Sequence, residues 1–179
     1  VSGIAKYEVA IGTSSGGTDV VDWSDNSTDT SFTQTSLSLS SGTAYYISVK
    51  ATDNAGNESD PVISDGVKVD TAAPLAGNIF DGADTTDIDW TNDTTSLTST
   101  WSAFSDTLSG IQKYEYAIGS SSESTDIVDW TDNSTDTTIT RTNLTLANGT
   151  AYYVSVRSTD NVGNVSTTAS SDGITVDTD

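Results

Sequence analysis

The chain contains neither cysteine nor histidine, and this absence removes several kinds of chemistry. No disulfide can stabilise the fold. Zinc sites built from thiolate or imidazole ligands are excluded, and so are catalytic triads that depend on histidine. Any metal site in this chain must therefore be built from oxygen ligands.

Positive charge is scarce, because 6 Lys and Arg residues stand against 26 Asp and Glu residues, for a formal net charge of −20 at pH 7. A chain this acidic is poorly suited to nucleic acids and to anionic membrane surfaces. No apolar run approaches the roughly 18 residues of a membrane span, and no signal-peptide pattern is present. We therefore expect no nucleic-acid partner and no membrane insertion.

Hydrophobic residues are also few, at 34% of the chain. Low hydrophobicity with high net charge is one mark of disorder. We do not expect disorder, because the apolar residues alternate with polar ones, as Ile47 and Val49 do with Ser48 and Lys50. An acidic, cysteine-free chain rich in Thr and Asn is typical of secreted bacterial proteins. The expected location is extracellular or at the cell surface, with any export signal outside this sequence.

A long internal repeat organises the chain. Residues 2–72 align with residues 109–179 without insertion or deletion, and 45 of the 71 aligned pairs are identical. A repeat of this length is the size of a domain rather than of a solenoid unit. The first copy has no counterpart of residues 73–108. The sequence thus predicts a partial unit at 1–72 and a complete unit at 73–179.

Period-2 alternation and Gly, Asn, Asp and Ser boundaries predict seven strands in the complete unit. These strands are predicted at 75–80, 96–102, 113–118, 125–130, 137–142, 151–159 and 173–177. The first copy supplies counterparts of the last five only, at 6–11, 18–23, 31–35, 44–52 and 66–70. Short, regularly spaced strands predict an all-β fold of tandem antiparallel β-sandwiches. Without its first two strands, the first copy is predicted to leave much of its apolar sheet face open or covered by another chain.

Two motifs carry a resemblance to a known family. The sequence Leu-Ala-Asn-Gly-Thr-Ala-Tyr at 146–152, with its counterpart at 39–45, resembles the turn that enters the sixth strand of fibronectin type III domains. The motif Thr-Asp-Asn-x-Gly-Asn at 52–57 and 159–164 is similar to one in the fibronectin-like and Ig-like tandem repeats of bacterial surface proteins and adhesins. The resemblance implies a fibronectin type III or Ig-like sandwich whose first copy lacks strands A and B. It also implies that Tyr45 and Tyr152 fasten this corner and that Trp101 lies in the core.

Acidic loops suggest a calcium site. In the predicted seven-stranded sandwich, the loops after the second, fourth and sixth strands gather at one end of the unit. The last strand of the preceding unit should approach the same end. Calcium needs six to eight oxygen ligands and tolerates irregular geometry. The candidate ligands are Asp70, Asp106, Asp132, Asp136, Asp160 and Asn161. The alternative is that these residues only form turns, for which Asp and Asn are well suited.

Two tryptophans are candidates for contact with a partner. Trp130 lies on the predicted strand 125–130 of the complete unit, and Trp23 occupies the equivalent position on strand 18–23 of the first copy. They could form an aromatic surface for a sugar or a protein, or they could cover the sheet and pack against their own unit. We favour the structural role, because tryptophan is usually largely buried.

The first functional hypothesis is a non-catalytic structural or adhesive repeat of a long extracellular protein, which acts as a spacer or stalk and is stiffened by calcium at the interdomain junction. Its partners would be neighbouring repeats of the same protein. The alternative is a carbohydrate- or partner-binding module, appended to a secreted hydrolase or acting alone on a cell-surface protein or glycan. We do not expect an enzyme, because the acidic residues lie in short repeated turns.

The missing strands of the first copy have three explanations. The chain is a slice of a longer array, or another chain lends the strands by strand exchange, or residues 1–72 pack differently from residues 73–179.

Overall fold

The computed structural model describes residues 2–179, and these residues form strands and turns without any helix. Within them, no helix is long and apolar enough to cross a membrane. The chain divides into two compact units, the first ending at Thr71 and the second spanning Ala72–Asp179.

The first unit contains a single antiparallel sheet. Its strands are β1 (Ile4–Gly12), β2 (Val21–Asp25), β3 (Ala44–Asp53), β4 (Val62–Ile63) and β5 (Val67–Lys68). The order across the sheet is β2-β1-β3-β4, and β5 pairs with another part of β3. The long central pair β1–β3 holds the unit together.

The second unit is a two-layer sandwich. Its strands among residues 72–179 are β6 (Ile79–Asp81), β7 (Trp90–Thr91), β8 (Leu97–Trp101), β9 (Ile111–Gly119), β10 (Val128–Asp132), β11 (Thr138–Arg141), β12 (Ala151–Asp160), β13 (Ala169–Ser170) and β14 (Ile174–Val176). One sheet has the order β11-β8-β6. The other has the order β10-β9-β12-β14-β7, with β13 pairing with β12. All pairs are antiparallel except β14–β7, which is parallel.

Three details of the strand prediction for the second unit need correction. The first strand begins at Ile79, later than the predicted start at 75. The predicted strand at 125–130 lies at Val128–Asp132, and its pairing with β9 contains a register shift between Val128 and Thr131. The short strands β7 and β13 were not predicted.

The predicted strand at 31–35 was wrong, since these residues form no strand in the structure. The equivalent segment of the second unit, β11, is a strand because it pairs with β8 through four consecutive residues. The first unit has no counterpart of β8. The aligned segment of the first unit therefore has no neighbouring strand to pair with and remains irregular.

The core of the second unit lies between its two sheets. Alternate residues of β8, β9 and β12 point inward and meet around Trp101, which contacts Tyr114 edge to face at 5.7 Å between ring centroids. The Tyr152 hydroxyl oxygen accepts a hydrogen bond from the Ala147 amide at 2.9 Å, and Tyr45 accepts one from Ser40 at 2.8 Å. Both units thus fasten the turn that precedes their longest strand through a tyrosine hydroxyl.

The equivalent apolar face of the first unit is partly open. Ile47 is 42% exposed, whereas its counterpart in the second unit, Val154, is 1% exposed. Val9 and Ile11 are nevertheless buried. Grooves on this face are lined by residues of both β1 and β3 together with apolar side chains of the irregular segment 32–39, namely Phe32, Leu37 and Leu39. The irregular segment therefore covers part of the face that a second sheet would cover.

Candidate functional site

The repeated Asp-Asn-x-Gly-Asn motif forms a turn around its first aspartate. The Asp160 Oδ1 accepts hydrogen bonds from the Val162 and Asn164 amides at 3.0 and 2.8 Å, and its Oδ2 accepts one from the Asn164 side chain at 2.7 Å. Asp53 makes the same set of bonds in the first unit. Gly163 has a φ of 97°, which suits glycine at the tip of the turn. The turn chemistry of this motif is therefore present in both copies.

The same bonds determine the ionisation of Asp160. Desolvation by burial acts to raise the pKa of its carboxyl group, but the hydrogen bonds from Asn164 and from the turn amides outweigh it and lower the pKa overall. A carboxylate that accepts several backbone N–H bonds is stabilised in its charged form. Asp160 is thus a buried anion whose oxygens are directed at its own turn.

Asp106 and Asn161 lie close to this turn. The Asp106 Oδ1 accepts hydrogen bonds from the Leu108, Ser109 and Gly110 amides at 3.0, 2.7 and 2.8 Å. These bonds, that of Gly110 above all, lower its pKa, while the charge of Asp160 acts in the opposite direction. The Asn161 side chain donates to the Ser109 carbonyl at 2.7 Å and to the Gly110 carbonyl at 3.2 Å. The structure therefore brings together Asp106, Asp160 and Asn161 of the predicted calcium ligands.

The other predicted ligands of the second unit have different partners. The Asp132 carboxylate accepts a hydrogen bond from the Ser134 amide at 2.7 Å, which lowers its pKa, and forms an ion pair with Lys113 at 3.4 Å. The backbone of Asp136 closes a turn with Asn133. Asp70 lies in the first unit, two residues after β5. Calcium binding by the full set remains a prediction.

Both candidate tryptophans lie beneath a cation on the outer face of their sheet. The Arg157 guanidinium lies 4.3 Å from the centre of the Trp130 ring, and the Lys50 ammonium lies 5.0 Å from that of Trp23. Both rings are half-buried. Arg157 also forms an ion pair with Glu115 at 3.3 Å. Each tryptophan is therefore part of a packed polar layer, although part of each ring remains accessible.

The sequence prediction did not include a second group of carboxylates in the second unit. Asp81, Asp87 and Asp172 each offer a carboxylate oxygen, and these oxygens lie within 4.8 Å of one another. A sequence signal was present in the density of aspartates at positions 81, 84, 87 and 89. It could not be assigned to a site, because Asp172 joins the group only through the tertiary fold.

No known family model matches the chain. Exoglucanase B from Cellulomonas fimi is 34% identical to it over 184 residues, an alignment that covers 99% of this chain and 14% of that protein. The chain thus spans about one seventh of the length of this relative.

Two solved structures resemble the chain. A crystal structure of consecutive domains from titin has a TM-score of 0.51 at 18% identity and covers 94% of this chain and 53% of the titin chain. The FN1–FN3 domains of chicken CNTN1 have a TM-score of 0.43 at 16% identity and cover 95% of this chain and 56% of theirs. The fold is therefore confirmed as all-β and of the fibronectin type III or Ig-like kind, with a two-sheet sandwich in the second unit and a first copy that lacks strands A and B.

Proposed function

We propose that the chain is a non-catalytic spacer module within a larger extracellular protein. The observation that carries this proposal is the alignment with Exoglucanase B, which includes nearly all of this chain but only 14% of that protein. A segment of that size leaves most of the relative for catalysis. The fibronectin-like fold itself is compatible with many functions. The proposal is therefore supported by the small share of the relative that the chain matches and by the surface of the module.

The surface of the module supports a spacer. The net charge of −20 favours solubility and disfavours non-specific association. Two of the clustered acidic residues have structural roles, because Asp106 and Asp160 accept hydrogen bonds from the amides of their own loops. Asp81 is buried and out of reach of a polymeric substrate.

A second candidate function is binding of a carbohydrate or of a cell-surface partner, as in an adhesin or a module appended to a secreted hydrolase. Two observations favour it: Trp23 and Trp130 are partly accessible, and the related protein is named a glucanase. The Arg157 and Lys50 side chains would have to move, or to contact the ligand themselves, for a sugar to stack on either ring.

One experiment separates these functions. The full chain is tested for hydrolysis of a chromogenic cellobioside, for depletion by insoluble cellulose and for binding to a glycan array. A spacer produces no hydrolysis and no binding. Binding that is lost in Trp130→Ala, and retained in the exposed control Trp90→Ala, would support the second candidate. Hydrolysis that persists after repeated purification would contradict both.

The calcium junction predicted from the sequence is also part of the proposal. Asp106, Asp160 and Asn161 would be its ligands in the second unit, with Asp70, Asp132 and Asp136 as further candidates. Calorimetric titration with calcium after chelation tests it. Loss of one calcium-binding event in Asp106→Asn would support the junction site, and unchanged binding in that variant would contradict it.

A further inference from the structure

Asp81 is a fully buried carboxylate with an unused oxygen. The residue ends β6, and its side chain is 0% exposed. Its Oδ2 accepts a hydrogen bond from the Gly173 amide at 3.2 Å, whereas its buried Oδ1 accepts none. Buried carboxylates in proteins are normally hydrogen-bonded, paired with a cation or bound to a metal. The Oδ1 atom therefore lacks a partner that its environment requires.

Two further carboxylates lie beside that of Asp81. Asp87 and Asp172 are exposed to solvent, and one carboxylate oxygen of each lies within 4.8 Å of the others and of Asp81. The Asp87 Oδ1 accepts a hydrogen bond from the Asp81 amide at 2.7 Å, which holds this side chain next to the end of β6. None of the ion pairs found among residues 2–179 involves any of the three.

The fold positions these residues where the chain crosses between the two sheets. Strand β6 belongs to one sheet and β7 to the other, and Asp87 lies on the connection between them. This connection turns away from β6 at Gly82, which has a φ of 119°. Asp172 immediately precedes Gly173, where the chain enters β14 with a φ of 101°. The three carboxylates thus come from the end of β6, from its connection to β7 and from the segment that enters β14.

We propose that Asp81, Asp87 and Asp172 bind a calcium ion that fastens the β6–β7 connection to the segment entering β14. Calcium takes oxygen ligands at about 2.3–2.6 Å, so two oxygens on one ion lie at most about 5 Å apart. The observed separations fall within that limit. Magnesium would require these oxygens to approach within about 4.2 Å of one another and demands octahedral geometry. Water would supply the remaining ligands, because two of the three carboxylates are exposed.

The electrostatics of the group favour the binding of a cation. Burial raises the pKa of Asp81 to about 6, the Ser171 hydroxyl partly opposes this rise, and the negative charges of Asp87 and Asp172 add to it. The two neighbouring negative charges thus disfavour the charged form of Asp81. A divalent ion would relieve both the desolvation and the repulsion.

The first unit provides an internal control. Its counterpart of Asp172 is Asp65, but it has no residues equivalent to Asp81 and Asp87. Calcium bound at this site should stabilise the second unit and leave the first unchanged. The inference is independent of the spacer proposal and concerns a different site from the junction predicted from the sequence.

The test is titration of the full chain with calcium chloride after removal of divalent ions, with calorimetry as the first readout and thermal unfolding as the second. We expect occupation of this site to raise the melting temperature of the second unit by about 10 °C at a hundredfold excess of free calcium over Kd. In Asp81→Asn and Asp87→Asn the affinity should fall by about tenfold or more, because each removes one charged ligand.

The matched control is Asp84→Asn, which removes an exposed acid of the same connection that is outside the group. Its affinity should equal that of the unaltered chain. If Asp81→Asn does not fold, the exposed positions Asp87 and Asp172 carry the test. Absence of binding at millimolar calcium would overturn the proposal, and so would binding lost only in Asp106→Asn or Asp160→Asn.

Discussion

At the scale of single residues, the repeat shows which roles follow from a local motif and which depend on distant parts of the chain. Asp53 and Asp160 make matching hydrogen bonds in turns of the same sequence, so this turn could be predicted from the motif alone. Asp81 could not be assigned a role in this way, because the environment that buries it consists of residues distant in sequence. Its Oδ2 partner, Gly173, lies 92 positions further along the chain.

Glu123 provides a prediction about backbone strain. Its φ is 64°, in the left-handed region, and its counterpart Gly16 has a φ of 78°. The left-handed conformation costs a residue with a Cβ atom about 1 kcal/mol, a cost that glycine avoids, although glycine has more conformational entropy to lose on folding. Glu123→Gly should therefore stabilise the second unit by about 0.5 kcal/mol, as measured by urea unfolding. Glu123→Ala is the control, since it removes the charge but keeps the strain. Equal stability of the two variants would contradict this account.

Asp93 gives a prediction about acid stability. Hydrogen bonds from the Ser96 hydroxyl, followed by those from Thr95, lower its pKa from 3.8 to about 2. A carboxyl group whose folded-state pKa is depressed contributes stability above its unfolded pKa, and this stability is lost as pH falls through the folded value. Solvent screening reduces the effect, because Asp93 is exposed. Between pH 4 and pH 2 the unfolding free energy should fall less steeply in Asp93→Asn than in the unaltered chain. Parallel pH profiles from chemical denaturation would refute this.

At the scale of elements, strands with several alternating residues could be predicted, and two-residue strands defined only by their partners could not. Strand β12 was predicted nearly in full and β9 over 113–118, because inward and outward residues alternate along both. The segment 31–35 resembles β11 in sequence but lacks a partner, so local pattern alone misassigned it. The two-residue strand β7 exists only through its parallel pairing with β14.

The parallel β7–β14 pair predicts mechanical behaviour. Thr175 donates to the Asp89 carbonyl and Asp177 to the Thr91 carbonyl, both at 2.8 Å. Because the two strands run in the same direction near the start and end of the unit, a force applied to its ends loads these bonds in shear. Asp177→Pro removes one donor, whereas Asp177→Ala keeps it. In single-molecule pulling, the second unit should unfold at a lower force in the proline variant only. The same force in both variants would contradict a clamp at this edge.

At the scale of the whole molecule, the chain holds a complete sandwich and a single-sheet unit built from nearly the same sequence. This difference could be predicted, because residues 73–108 have no counterpart ahead of the first copy. The irregular segment 32–39 covers part of the apolar face of the first sheet. This cover could not be predicted, since it depends on how a segment that pairs with no strand packs. Strand exchange with another chain remains a proposal for covering the rest of this face. If strand exchange occurs, the protection of the first unit's amides against hydrogen exchange should rise with protein concentration.

Hydrogen exchange followed by mass spectrometry tests the contrast between the units most directly. Strands β1 and β3 pair in the same register as β9 and β12, so their amides form an internally matched set. Because the first unit lacks a second sheet, its opening should cost less free energy, and β3 amides should exchange about tenfold or more faster than those of β12. Equal protection of the two strands in dilute solution, where light scattering shows a monomer, would contradict the account.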